Sequence, residues 1–207
     1  MSNRKRNCKI KPKHVIITAK NNVKNIMRII SGLYQGFVLK TPKNSSYRPS
    51  MGKVKEAVFS WLNSRDLLKN AKALDLFCGS ASYAFEALSR GAFFALAIDI
   101  DRNALDYARE FAEKYNIPNI EFINGDATKL RNSRHQFDVV FIDPPYNQGL
   151  VEKSLKILSE RNWLQQEATV IIETERTEDI PLVENYTQLD SRTYGSSKIT
   201  MLQYEKK

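Results

Sequence analysis

No Asp or Glu precedes Glu56 in this chain. Cysteine and histidine are also scarce, with two of each among 207 residues. Cys8 lies in a basic tail and Cys78 inside an apolar run, so neither a disulfide framework nor a Cys-ligated metal site can be assembled from them. His14 and His135 stand alone, which leaves no cluster of the size a structural metal requires, and no metal is expected. No apolar run approaches the ~20 residues of a membrane span. The start, MSNRKRNCKIKPKH, has no apolar core of the secretory kind. The expectation is a soluble, cytoplasmic protein without a membrane partner, and a monomer.

What is present is globular: 42% hydrophobic and 27% charged residues, in a length that suits one ordinary domain with at most a small appendage. The formal charge of +9 is divided unevenly. All 23 acids lie from Glu56 onward, where they outnumber the basic residues, whereas residues 1–55 are basic throughout. An acid-free arm on a mildly acidic globule is the footprint of a protein that meets a polyanion with one end, and nucleic acid is the favoured partner. The competing readings are a solvated tail or an organellar targeting peptide.

Residues 1–27 read as an irregular basic arm. RIISG (28–32) and GFVLKTP (36–42) are β-rich runs about a turn edged by Gly32 and Gly36, which predicts a small hairpin. Val54, Val58, Trp61 and Leu62 then recur at helical spacing, predicting an amphipathic helix that caps the hairpin onto the body. After Lys72 come five short, nearly continuous apolar runs: ALDLFC, FFALAID, IEFIN, DVVFID and ATVIIETE. Such runs are typical of strands buried on both faces of a parallel sheet. Helical stretches separate them, so the fold class is α/β, a doubly wound and mostly parallel sheet. YTQLDSRTY and KITMLQYE flank Gly195, which adds an antiparallel C-terminal hairpin at one edge. The domain division is an arm (1–27), a nucleic-acid-contacting hairpin and helix (28–69) and the main domain (70–207).

Ligands of such sheets bind beyond the carboxyl ends of the strands. The first of those ends, after Phe77, is a small-residue turn through Gly79 and Ser80, where backbone can approach a ligand at a helix N-terminus. The second ends in Asp99, twenty residues after Gly79, the spacing at which an acid in a nucleotide-binding βαβ unit meets ribose hydroxyls. The third ends in Asn124-Gly125-Asp126. Together they predict a nucleoside pocket. Asp75 and Asp101 lie nearby, each open to reading as a capping or solvated acid. The fourth strand ends in Asp143-Pro144-Pro145-Tyr146. Two prolines fix φ and contribute no N–H, so the Pro144 carbonyl and the Asp143 carboxylate can converge as acceptors beside the Tyr146 ring. Two acceptors and an aromatic face suit the exocyclic amine of an extruded base.

From about Arg28 to Tyr204 the sequence resembles the RsmD group, bacterial S-adenosylmethionine-dependent methyltransferases that modify guanine N2 in small-subunit (16S) ribosomal RNA. The resemblance rests on RIISGLYQGFVLKTP, RPSMGKVKEAVFSWL, LDLFCGS, EALSRGA, IDIDRNAL, GDA, FIDPPY and RTYGSSKITMLQYE, in that order. It implies a class I methyltransferase (Rossmann-like) fold. It also implies S-adenosyl-L-methionine as cofactor, held by Asp75, Phe77, Gly79, Ser80, Asp99, Asp101, Asp126 and Ala127. Asp143 to Tyr146 would take the target guanine, and Arg28, Arg48, Lys53 and Lys55 would grip phosphates of ribosomal RNA or of an assembling small subunit. Ala81 stands where the family has the second glycine of Gly-Ser-Gly, a place alanine fits if its backbone is already helical. Gly52 stands where the family carries an acid. Two other readings are an amino-methyltransferase of adenine N6 in DNA or of another RNA, and a non-catalytic RNA-binding assembly protein.

Overall fold

A computed structural model describes residues 26–40, 51–181 and 183–206. Arg48 and all but the last two residues of the basic arm lie outside them. The chain opens with a hairpin, β1 (Ile26–Arg28) against β2 (Val38–Lys40), so β-structure starts two residues inside the stretch read as an irregular arm. Helix α1 (Met51–Asn63) follows, with Val54, Val58, Trp61 and Leu62 all buried as its spacing predicts. The body alternates strand and helix except between β5 and β6, which no helix separates: β3 (Lys72–Leu76), α2 (Ser82–Ser89), β4 (Phe94–Asp99), α3 (Arg102–Lys114), β5 (Ile120–Asn124), β6 (Phe137–Ile142), α4 (Leu150–Glu160) and β7 (Leu164–Glu175). The antiparallel pair β8 (Tyr186–Tyr194) and β9 (Ser197–Tyr204) closes it.

The seven-stranded sheet has the order β5-β4-β3-β6-β7-β9-β8. Its first five strands are parallel, and β9 runs antiparallel to β7, which brings the β8–β9 turn to the same rim as the carboxyl ends of β3, β6 and β7. Side chains alternate between two layers, as the pleat requires. Ala73, Ala95, Ala97, Val139 and Phe141 face α1, α2 and α3, whereas Leu74, Leu76, Leu96, Ile98, Val140 and Ile142 face α4 and Trp163. The alanines let α2 lie close, and all eight of its residues are buried.

Two expectations change. IEFIN is an edge strand, half-exposed along its length rather than buried on both faces, because only β4 flanks it. Strand β7 begins at Leu164, four residues before the apolar run, its polar start interrupted by a register shift near Glu167, whose φ is 64°.

The hairpin is fastened to the body by α2. Glu86, fully buried, accepts from the N–H groups of Ile30 (2.8 Å) and Ser31 (3.1 Å) and pairs with Arg90 Nε (2.8 Å) and Lys55 Nζ (3.5 Å). Ser89 accepts the Leu33 N–H on its carbonyl at 2.7 Å and the Tyr34 N–H on its hydroxyl at 3.0 Å. Gly32, at φ 90°, is required by this contact: a Cβ there would stand 1.9 Å from the Ser89 carbonyl oxygen. One hydrophobic cluster runs without a break from Met27 and Leu39 through α1 and α2 to Phe141.

Candidate active site

Strand β3 leaves the sheet through Phe77 at φ 57°, Gly79 at φ 52° and Ala81 at φ 60°, three left-handed residues in five. The turn therefore depends on backbone geometry that L residues adopt at a cost of roughly 1–2 kcal/mol each. Ala81 is the N-cap of α2 and fully buried, so it does not have the right-handed helical backbone under which alanine fits easily. A side chain built on Gly79 would meet nothing within 4 Å, so the turn presents open space at that point.

Asp99, ending β4, binds the turn directly. Its Oδ2 accepts from Gly79 N–H at 2.7 Å and its Oδ1 from Asp101 N–H at 2.7 Å, so the twenty-residue spacing places acid and glycine in contact. Asp101 is the N-cap of α3, accepting from Asn103 and Ala104 N–H groups, the capping reading of that residue. Asp126 accepts from the Thr128 hydroxyl (2.7 Å) and N–H (2.9 Å) and pairs with Lys129 at 3.0 Å. Those bonds, Thr128 first, pull its carboxyl down to about 2. Ala127 is buried in the core, which leaves only its backbone for a ligand.

Asp75 lies beneath the rim on β3, 1% exposed. Its Oδ2 accepts from Ala84 N–H at 3.0 Å, while Oδ1 is buried with no hydrogen-bond partner. Burial raises its carboxyl to about 8. A buried acceptor without a partner is costly and calls for a donor. At the adjacent strand end Asp143 is half-buried, Pro144 buried and Pro145 exposed. Tyr146 is half-buried, with its hydroxyl 3.4 Å from Glu173 Oε1 and 3.3 Å from Ser197 Oγ. Asn147 is held by Glu175 and Glu178 at the exit of β7.

The set expected to grip phosphates divides. Arg28 and Lys53 are exposed, but Lys55 is 5% exposed and engaged by Glu86 and the Arg28 carbonyl, so it belongs to the fastening of the hairpin and not to an RNA surface. Among the described residues no cluster of three or more His, Cys, Asp or Glu side chains could hold a metal ion. No helix among them is long and apolar enough to cross a membrane.

The family model described as "Conserved hypothetical protein 95" matches residues 27–203. The chain belongs to this family, the RsmD family. Among curated proteins it is 34% identical to ribosomal RNA small subunit methyltransferase D of Haemophilus influenzae over 184 residues, 84% of this chain and 92% of that one. It is 37% identical to an uncharacterized methylase of Rickettsia prowazekii, with 86% and 98% covered. Among solved structures, a putative methyltransferase from Escherichia coli superposes with a TM-score of 0.79 at 28% identity, covering 88% of this chain and all of the other. A putative methylase from Haemophilus influenzae gives 0.74 at 30%, again with 88% of this chain and all of the other covered. The fold is therefore the Rossmann-like α/β fold of class I methyltransferases.

Three residues of this family member carry roles that the strand-end reading missed. Glu86 and Glu173 are buried carboxylates inside apolar segments, and Tyr83 is a buried phenol that donates to Glu173 at 3.0 Å. The signal of the two acids was visible: each is set among apolar neighbours, in YAFEALS and in VIIETE.

Proposed function

We propose that this RsmD-family protein transfers a methyl group from S-adenosyl-L-methionine to the exocyclic N2 amine of a guanine in small-subunit ribosomal RNA, free or in an assembling subunit. The observation that carries the reading is the neighbourhood of two features on one rim. The Gly79–Asp99–Asp126 strand ends suit a nucleoside, and Asp143-Pro144-Pro145-Tyr146 lies on the adjoining strand. Relatives named ribosomal RNA small subunit methyltransferase D supply the substrate class.

The residues fit the cofactor. Asp99 and Asp126 keep acceptor capacity beyond the bonds they make and would take the ribose and the adenine side. Gly79, Ser80 and Phe77 leave an open turn for the methionine part, and the orphaned Asp75 oxygen below it suits a cationic amino group. When bound, S-adenosylmethionine supplies a methyl already activated on a sulfonium. The protein's own task is then orientation. Asp143 accepts one hydrogen of the target amine and the Pro144 carbonyl the other, which favours the nitrogen lone pair over conjugation with the ring. Tyr146 stacks on the extruded base, and the proton released after attack goes to Asp143 or to water. Arg28, Lys53 and, beyond the described residues, Arg48 and the basic arm bind phosphates. The protein works as a cytoplasmic monomer.

The test is incubation with small ribosomal subunits lacking the modification and a labelled methyl donor, followed by nucleoside analysis. N2-methylguanosine is expected, and Asp143→Ala should lose at least ~10²-fold in turnover while still binding cofactor. N6-methyladenosine, or no transfer by a cofactor-binding protein, overturns the proposal.

A further inference from the structure

We propose that Glu173 is a positioning residue that holds the Tyr146 ring, through its hydroxyl, in the attitude in which it stacks on the target base. This rests on the reading of Tyr146 as the stacking residue. Glu173 is on β7, one residue past the Ile142–Ile172 pair, so its carboxylate stands beside Asp143 at the rim. It is 5% exposed, and a carboxylate so buried needs partners for both oxygens. Two phenols provide them. Tyr83 donates to Oε2 at 3.0 Å and Tyr146 to Oε1 at 3.4 Å.

The two phenols differ in setting. Tyr83 is a fixed part of the core: its ring stacks on Phe141 at 4.9 Å and on Phe59 at 6.0 Å, and it is 7% exposed. Tyr146 lies in the turn after Pro145 and is half-buried. Glu173 therefore joins an immobile phenol to one on a loop, and Ser197 Oγ, 3.3 Å from the Tyr146 hydroxyl, braces it from β9. Glu175 and Glu178, which hold Asn147, fix the next residue of the same loop. The arrangement orders the ring before substrate arrives, which lowers the entropy that binding must otherwise supply.

Glu173→Leu removes the acceptors and leaves an apolar side chain of similar size, but it strips the buried Tyr83 hydroxyl of its acceptor, so the variant should melt lower than the parent and its kinetics are measured well below that transition. Its KM for ribosomal RNA should rise about tenfold, as expected when a stacking residue loses its orientation. Turnover and cofactor affinity should stay within about threefold, because Asp143 and the cofactor turn are untouched. Glu173→Gln, which can still bridge two hydroxyls, should restore KM to within about threefold of the parent. In a Tyr146→Phe background Glu173→Leu should add less than about twofold, since the hydroxyl it acts on is gone. An unchanged KM in Glu173→Leu, or an undiminished effect in the Tyr146→Phe background, overturns the proposal. Fluorine NMR of 3-fluorotyrosine at position 146 separates this from the choice of substrate. The parent should give one narrow resonance that broadens or splits in Glu173→Leu. An unchanged line refutes positioning even if methylation of guanine is established, whereas a broadened line with no methylation refutes only the proposed activity.

Discussion

Replacing Glu86 by alanine should weaken the fold more than any change at the rim. The side chain is fully buried and those of its partners nearly so, with Lys55 at 6% and Arg90 at 8% exposed. Its removal leaves two cations without a counter-charge and two N–H groups, of Ile30 and Ser31, without an acceptor. Burial already pushes the Lys55 ammonium below its usual range, with Glu86 as the main opposing influence, so that cation is the more exposed to the loss. Breaking one partner out of a buried ion pair costs about 3–5 kcal/mol. In a chain of this size that corresponds to a fall in melting temperature of about 6–20 °C. Urea unfolding followed by circular dichroism measures it directly. The charge argument has its own control: Lys55→Met with Glu86→Gln removes both a cation and its partner, keeps an acceptor for Arg90, and should recover more than half of the loss. A Glu86→Ala protein within about 1 kcal/mol of the parent would refute the reasoning. So would a double variant no better than the single, since the loss would then lie in the hairpin's backbone bonds alone.

Asp99→Ala should weaken S-adenosylmethionine binding by roughly 1–3 kcal/mol in calorimetry, because it removes a charged acceptor and also releases Gly79 and Asp101 N–H groups; wild-type affinity would remove Asp99 from the site. Asp75 has a folded pKa of about 8, raised by burial above the ordinary carboxyl value, so it stays protonated in the folded state while the unfolded chain ionises. Its contribution to stability should therefore fall as pH rises from about 4 to about 8 and then level off. The stability advantage of Asp75→Asn over the parent should grow across that window in denaturation measurements, and an advantage independent of pH would contradict it. Deleting residues 1–24 should lower RNA affinity and flatten its salt dependence without altering cofactor affinity, since fewer phosphate contacts release fewer counterions; an unchanged slope would show the arm to be a bystander.

The strands and helices of the body were legible because both faces of the sheet are covered, so that burial itself writes the apolar runs. The rule fails where burial fails. IEFIN reads like a core strand, yet as an edge strand it is half-exposed, and the polar start of β7 gave no strand signal at all. The rim's position was legible for a related reason: small residues and acids interrupt the apolar pattern where the strands leave the sheet. Backbone conformation was not. Nothing in Gly79-Ser80-Ala81 announces that Ala81 sits at φ 60°, because a left-handed residue is set by how the turn must enter α2.

Charge was the least legible feature, and Lys55 shows why. Counted with its neighbours it belongs to a basic, acid-free stretch and reads as a phosphate contact. Placed on the helix, it lies three residues before Val58 and seven before Leu62, on the buried face of α1. A lysine on an apolar stripe is a cation that must find a partner inside the protein. Glu86 poses the same problem from the other side, as an acid in a helix whose every residue is buried. Each position can be identified as needing a partner from helical spacing alone. That the two satisfy one another, and together fasten the hairpin, depends on α1 and α2 lying side by side on one face of the sheet, which spacing within either helix does not encode. Glu173 obeys the same rule at the rim. A buried acid in VIIETE signals donors nearby, and only the adjacency of β6 and β7 and the packing of α2 against β6 make those donors Tyr146 and Tyr83.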